Sequence, residues 1–399
     1  TGPWLADIVA GTLAASGRTV LDAGVAATPT AGVLVSHYQA AGGIQISASH
    51  NPAPYNGLKL FSSAGQVLSA ADGEQVLQRY HANATAWAPH NRVGKRKPIA
   101  DPGAPHIDRA LAAVNVDAIR RRNFRVLLDA NHGSGGRHGR RLLEALGCRA
   151  TILGEEVTGQ FAHEAEPTAE NLRGVAAQLA EGNFEVGFCQ DPDADRLALI
   201  DERGRYIGEE ATLAICAAHV LAQRPGPVVT NCSTSRMTQD LADKAGVPCY
   251  RSKVGEANVV AVMQEQGAVM GGEGNGGVID PRVVFVRDSL VGMALVLEAL
   301  ATSNAKLSQL ADQLPQYQIV KTKIDLAGVR VNEALDAVQQ HFHMARPDRL
   351  DGLRLDWPEG WLLVRASNTE PIVRAIAEAT SAELAQRWCD EAAAVIRQT

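Results

Sequence analysis

The sequence predicts an α/β protein of several domains that closes in an α+β segment. Three observations predict it. Helical patterns alternate with short β-branched or apolar runs over most of the chain. Glycine-rich or polar loops follow strands in three successive stretches, a structural repetition that residue identity does not show. From about Leu314 onward the strands crowd together between only two helices. With 399 residues the chain is too long for one core, and two to four domains are expected.

In the first stretch, residues 4–16 carry Leu5, Ile8, Val9 and Leu13 at helical spacing. Residues 19–21 read as a strand, 28–40 as a helix and 43–48 as a strand ending in "SASHNP". Residues 93–105, "VGKRKPIADPGAP", are rich in proline, glycine and charge and read as a linker. In the second stretch, 124–129 is a strand, "ANHGSGG" a glycine-rich loop, and 137–145 and 172–180 are helices. Residues 186–189 form a strand that runs into Asp191. In the third, helices at 211–222, 258–266 and 290–301 alternate with strands at 227–230 and 268–270, the latter feeding "GGEGNGG". The last stretch has strands at 319–324, 353–356, 361–364 and 373–377, with helices at 331–341 and 382–396.

Composition excludes several classes of function. A net charge of −6 argues against a nucleic-acid or anionic-membrane partner, while leaving room for a local basic pocket that takes phosphate. The six cysteines (Cys148, Cys189, Cys216, Cys232, Cys249, Cys389) form no CxxC pair, so neither a zinc ribbon nor a disulfide framework is indicated. A reducing cytoplasm is the expected compartment. No apolar run reaches transmembrane length, and no charged leader precedes an apolar segment.

Four loops carry residues suited to chemistry. In "DPDADR", Asp191, Asp193 and Asp195 alternate after a strand, and an extended or gently curved path lets them converge on one hard cation. An EF-hand loop needs glycine at its sixth position, where this run has Arg196. A haloacid-type phosphatase also places D-x-D after an apolar strand, but normally continues with Gly or Thr/Val. A solvated acidic turn is the bland alternative; mutual repulsion of the carboxylates favours a metal over three idle acids.

"GGEGNGG" contains a formal GxGxxG, but no helix follows it, so it does not read as a dinucleotide fingerprint. It reads as a loop that lets a ligand approach closely, with Glu273 and Asn275 placed to bond sugar hydroxyls, or as a plain flexible turn. "RASNTEPIVR" sets Ser367, Asn368 and Thr369 between Arg365 and Arg374, a donor set suited to a phosphate dianion or, in isolation, a capped turn. In "SASHNPAPYNGLK", Ser49 stands at the mouth of a strand as a candidate nucleophile. Adjacent side chains in extended structure point apart, so His50 reads as a positioning neighbour rather than as the base for Ser49. Lys59, by default a solvated lysine, could reach back into the same site.

In this order and at these separations the four loops resemble the α-D-phosphohexomutase family over nearly the whole chain, with "DANHGSGG" and "EPTAENL" similar as well. The resemblance implies four domains around a central cleft, the first three sharing an α/β mixed-sheet topology and the last α+β. The expected divisions are 1–102, 103–204, 205–314 and 315–399. It implies reversible transfer of a phosphoryl group between O1 and O6 of a hexose, with a hexose 1,6-bisphosphate as activator and a sugar phosphate as the small-molecule partner. Carried over by motif, Ser49 bears the phosphoryl group, and Asp191, Asp193 and Asp195 hold Mg²⁺ together with a phosphoserine oxygen on Ser49. Arg196 lies beside the phosphoserine with His50 as its neighbour, and Lys59 moves a proton. Glu273 and Asn275 meet sugar hydroxyls, and Arg365, Ser367, Asn368, Thr369 and Arg374 hold the non-reacting phosphate.

The chain departs from the family in three places. Many members end the sugar loop in Gly-His, whereas here it ends Gly276-Gly277, and Glu256 stands in a region where some members have histidine. Asn275, where serine is frequent, together with "VGEAN", is closer to phosphoglucosamine mutases and relaxed-specificity glucose/mannose enzymes. The chain opens on Thr1-Gly2-Pro3 without the "SGIRG"-like stretch that the family carries earlier. The expectation is therefore a shortened first domain, from truncation or in a protein of reduced activity. A metal-dependent sugar phosphatase and a non-catalytic sugar-phosphate-binding relic remain the alternatives.

Overall fold

The structure, a computed structural model, describes residues 1–51, 54–83, 85–325, 330–366 and 372–399. The chain forms two compact units, one of Thr1–His219 with Asn275–Asp312, the other of Val220–Gly274 with Gln313–Thr399. Among the described residues, no helix is long and apolar enough to cross a membrane.

In the first unit, helix Gly2–Ala15 begins with proline in its first turn, where the missing N–H costs nothing. Strands Gly43–Ile46 and Leu58–Phe61 form an antiparallel pair with Gln45 opposite Lys59. The loop between them carries Ser49. Trp4, Ile8, Leu21, Ile44 and Leu58 are exposed. Strand Arg96–Pro98 pairs in parallel with Val20–Asp22, so the stretch predicted to be a linker supplies a strand. Its composition misleads because an edge strand tolerates the charge and proline that mark linkers. Arg96 meets Asp22 at 2.8 Å.

The larger sheet of this unit runs, in spatial order, Arg149–Leu153, Arg125–Asp129, Val186–Gln190 and Leu197–Asp201. The first three are mutually parallel, and Leu197–Asp201 is antiparallel to Val186–Gln190. Every residue of the last two strands is buried, which explains their unbroken apolar runs. Gln190 stands opposite Leu197, so "DPDADR" is the six-residue hairpin loop between two rigid strands.

Helix Gly136–Ala145 carries His138, whose imidazole packs beside Gly103. Burial, with the nearby His106 and Arg141, pushes its pKa down from 6.5 to about 4. As pH falls below 6.5 the unfolded chain therefore takes up a proton that the folded one refuses until about pH 4. Stability is full above that window and declines through it. The expected decline from this group is about 3 kcal/mol at most. Comparing urea unfolding of wild type and His138→Asn at pH 7 and pH 4.5 checks it: the variant is expected to lose clearly less stability on acidification.

In the second unit, strands Cys249–Ser252, Val228–Asn231 and Met270–Glu273 form a parallel sheet in that spatial order. The strand expected at 268–270 runs on through Gly271 and Gly272. A side chain at Gly271 would collide with Met263 of helix Glu256–Gln266. This glycine is small for helix packing, rather than for ligand approach as the sequence suggested.

The C-terminal part is a five-stranded antiparallel sheet. Its spatial order is Gln318–Asp325, Ile372–Ala379, Gly360–Ala366, Leu353–Trp357, Arg346–Asp348. The two-residue period sorts its faces. Leu362 and Val364 face helices Val331–His341 and Ala382–Arg397, whereas Trp361 and Leu363 pack with Ile376 and Cys232. The fully buried Trp361 donates its indole N–H to Glu378 at 2.7 Å, satisfying the one polar atom of the ring.

Candidate active site

Two loops of the first unit meet. Ser49 lies beyond the hairpin strand with φ +49, a left-handed conformation that costs a non-glycine residue about 1–2 kcal/mol. Its backbone N–H is fixed by Ser47 Oγ at 2.9 Å. The half-buried Ser49 hydroxyl donates to Asp191 Oδ2 at 3.0 Å. His50 Nδ1 lies 3.3 Å from the same hydroxyl. The expectation that these neighbouring side chains point apart assumed extended backbone, and the left-handed turn at Ser49 removes that assumption. Burial, then the charge of Arg196, holds the His50 imidazole below its usual pKa.

Asp191, Asp193 and Asp195 are 0%, 2% and 0% exposed, and one carboxylate oxygen from each falls within 4.8 Å of the others. The loop is curled more tightly than the extended path predicted. Asp191 Oδ1 accepts from the backbone N–H groups of Asp195 and Arg196, both at 3.1 Å, and Ala194 takes φ +56.

Cations and a hydroxyl converge on the triad. Lys59 Nζ lies 2.6 Å from Asp193 Oδ2 and 2.9 Å from Asp195 Oδ2. Arg287 donates to Asp195 Oδ2 at 2.6 Å, and Thr28 Oγ1 donates to Asp193 Oδ2 at 2.6 Å. Burial, with the charges of Asp193 and Asp195, pushes the Asp191 carboxyl well above the carboxylate range. Burial opposes ionisation of Asp195 too, but Arg287, Lys59 and Arg196 overcome it and hold that carboxyl low.

Among the described residues, Asp193 Oδ1 and Asp195 Oδ1 are buried without a hydrogen-bond partner. Buried carboxylate oxygens are costly to leave unsatisfied. Three convergent, desolvated oxygen donors, two with orphaned atoms, fit a hard divalent cation.

The other predicted residues lie elsewhere. Asn275 belongs to the first unit, where its Oδ1 accepts from Gly277 N–H at 3.3 Å. Glu273, Arg365 and Arg374 belong to the second unit. Glu273 Oε1 accepts from Asn231 Nδ2 at 2.6 Å and from Gly255 N–H at 3.0 Å. Arg365 pairs with Asp351 Oδ2 at 3.1 Å, and the same oxygen accepts from Val254 N–H at 3.0 Å. Arg374 stands directly opposite Arg365 on one side and Lys323 on the other, so three cations share one row of one sheet face. Ser367, Asn368 and Thr369 lie outside the described residues.

Sequence reasoning missed Thr28, Arg287 and Asp351. Arg287 had a weak signal: it closes the apolar run "VVFV", where a buried cation needs a partner. Thr28 and Asp351 had none.

Four domain families match the chain in order. They are phosphoglucomutase/phosphomannomutase alpha/beta/alpha domain I over residues 1–87, domain II over 104–204, domain III over 209–317 and the C-terminal domain over 326–395. The chain belongs to the phosphoglucomutase/phosphomannomutase family. It is thereby an isomerase, a phosphohexomutase. A Thermococcus kodakarensis phosphoglucomutase/phosphomannomutase is 35% identical over 98% of this chain and 86% of its own length. A probable phosphoglucosamine mutase of Methanopyrus kandleri is 30% identical over 97% of this chain and 85% of its own. The crystal structure of a phosphoglucomutase/phosphomannomutase family protein from Burkholderia thailandensis superposes with a TM-score of 0.85 at 27% identity, covering 99% of this chain and 86% of that one.

Proposed function

We propose that the chain interconverts hexose 1-phosphate and hexose 6-phosphate through a phosphoserine at Ser49. The observation that carries this is the Ser49 hydroxyl, held in a left-handed turn 3.0 Å from a buried, under-satisfied carboxylate triad.

The reaction balances as two transfers. The Oγ–P bond of phospho-Ser49 breaks as a bond forms from phosphorus to the free hydroxyl of a hexose monophosphate, giving a bisphosphate. That hydroxyl loses its proton, and Ser49 Oγ regains one. After the bisphosphate turns over, its other sugar O–P bond breaks and the Oγ–P bond re-forms, Ser49 Oγ giving up its proton and the freed sugar oxygen taking one. Lys59, beside the triad, is our assignment for the proton transfer. Mg²⁺ held by Asp191, Asp193 and Asp195 supplies charge neutralisation for the phosphoryl oxygens. Arg196 and His50 line the phosphoserine. Glu273 and Asn275 read sugar hydroxyls. The row of Arg365, Arg374 and Lys323, with Ser367, Asn368 and Thr369, takes the phosphate that does not react.

Asp351 holds Arg365 and the backbone ahead of Gly255 through one oxygen, tying the phosphate reader to the residues that hold Glu273. The Val254 N–H bond to this carboxylate is charge-assisted, a kind that contributes about 1.5–3 kcal/mol, and the Arg365 contact is an ion pair. Asp351→Ala is therefore expected to raise KM for the sugar phosphate about tenfold, with kcat changed much less. Steady-state kinetics on the preferred hexose phosphate checks it.

A coupled assay over glucose, mannose and glucosamine 1-phosphates, with inorganic phosphate measured in parallel, tests the function. The proposal expects hexose 6-phosphate without stoichiometric free phosphate, glucosamine and glucose/mannose phosphates being the preferred candidates. Free phosphate in place of isomer indicates a phosphatase, and neither product indicates a binding relic.

A further inference from the structure

The triad loop is gripped from two sides. On one side the start of helix Thr28–His37 supplies Thr28, whose hydroxyl bonds Asp193 at 2.6 Å and whose backbone N–H donates to the Asp193 carbonyl at 2.9 Å. On the other, the residues entering helix Ser289–Ser303 supply Arg287, 2.6 Å from Asp195, and Ser289, whose hydroxyl donates to the Ala194 carbonyl at 2.7 Å. These two grips come from the first and third matched domains, and the loop they hold from the second.

A single side chain joins the grips. His106, on helix Ala104–Ala112, lies between them. Its Nδ1 is 2.9 Å from Thr30 Oγ1, one turn-fraction along from Thr28. Its Nε2 is 2.8 Å from Asp288 Oδ2, the residue after Arg287. The second Asp288 oxygen caps the helix at Leu290 N–H, 2.8 Å away. A carboxylate only accepts, so Nε2 carries the proton, and in the neutral ring Nδ1 accepts from Thr30. Thr30, His106 and Asp288 are each 0% exposed.

A fully buried polar chain is expensive unless every member is satisfied, and apolar side chains fill such a space at lower cost. What this chain adds is geometry. It closes a ring from Asp193 through Thr28, Thr30, His106, Asp288 and Arg287 back to Asp195. We propose that His106 is a positioning residue of the divalent-cation centre, setting the spacing of Asp193 and Asp195 by locking the two segments that hold them. The proposal rests on the reading that the triad binds a divalent cation.

Isothermal titration of full-length protein with Mg²⁺ tests it, on wild type, Thr30→Val, His106→Gln and His219→Asn, with melting temperatures alongside. Thr30→Val removes one link with little change in volume. His106→Gln keeps a donor for Asp288 and loses the Thr30 link. His219 is a matched control: it is a nearly buried histidine 2.8 Å from Glu298. Partners behind metal ligands typically contribute about ten- to a hundredfold in affinity, and both ring variants are expected to bind Mg²⁺ about tenfold more weakly. His219→Asn is expected to lower the melting temperature and leave Mg²⁺ affinity unchanged. Ring variants that bind Mg²⁺ as wild type does overturn the proposal, as does an equal loss in His219→Asn. Should His106→Gln not fold, Thr30→Val carries the comparison. Wild type that binds no Mg²⁺ overturns the metal reading itself, a distinct result.

Discussion

Ser49→Ala is expected to lower mutase turnover on the order of a thousandfold or more, with the fold intact. The reaction as proposed passes every phosphoryl group through Ser49 Oγ, so no neighbouring atom can substitute in the transfer. Ser47 has a hydroxyl, but it accepts the Ser49 backbone N–H and holds the turn. Folding is not expected to suffer, because alanine meets the same left-handed backbone penalty as serine. Ser49→Gly separates the two effects: it relieves backbone strain of about 1–2 kcal/mol, part of which glycine's greater unfolded freedom offsets, and it still loses turnover. Turnover measured beside thermal melting for both variants checks this. Retained turnover in either variant removes Ser49 from the mechanism.

Asp193→Asn is expected to abolish stimulation by Mg²⁺ and to lower activity at least about a hundredfold. Asp193 Oδ2 is already committed to Thr28 and Lys59, and Oδ1 is the orphaned atom of the cluster. An amide there replaces an anionic oxygen by a neutral group and, in one of its two orientations, aims an N–H at the site. It also removes one negative charge from a pocket that contains Lys59, Arg287 and Arg196, so a cation is held less strongly. Lys59 and Arg287 remain to neutralise Asp195, which favours a folded but metal-deaf protein over an unfolded one. Activity followed across an Mg²⁺ titration after chelation checks this; wild-type stimulation in the variant contradicts it.

Much of the site was legible because its parts are local. An apolar strand ending in three alternating acids is visible in the sequence, and so is a serine at a strand's end. Lys59 was expected to reach back into the site, but its pairing with the acids was not stated, and Arg287 was not foreseen. They lie 136 and 92 residues from Asp195, and no short-range pattern marks which cations a folded chain brings to a given carboxylate. Backbone conformation was the other blind spot. The left-handed turns at Ser49 and Ala194 carry no glycine or asparagine to announce them, so extended geometry was assumed and the His50 contact was missed. For the fold, alternating helices and strands gave the α/β class and the late cluster of strands gave the α+β end. The edge strand Arg96–Pro98 hid behind a linker's composition. Gly271 showed that a sequence cannot say whether a small residue makes room for a ligand or for Met263.

Transfer of label shows whether Ser49 carries the phosphoryl group. The protein is incubated with hexose 1,6-bisphosphate labelled in its phosphates, quenched, and mapped by peptide mass spectrometry. One labelled phosphoryl group is expected, on the peptide containing Ser49, that is discharged by unlabelled hexose monophosphate and absent from Ser49→Ala. Label on another residue, or isomerisation of hexose phosphate with no label on the protein at any time, would contradict it.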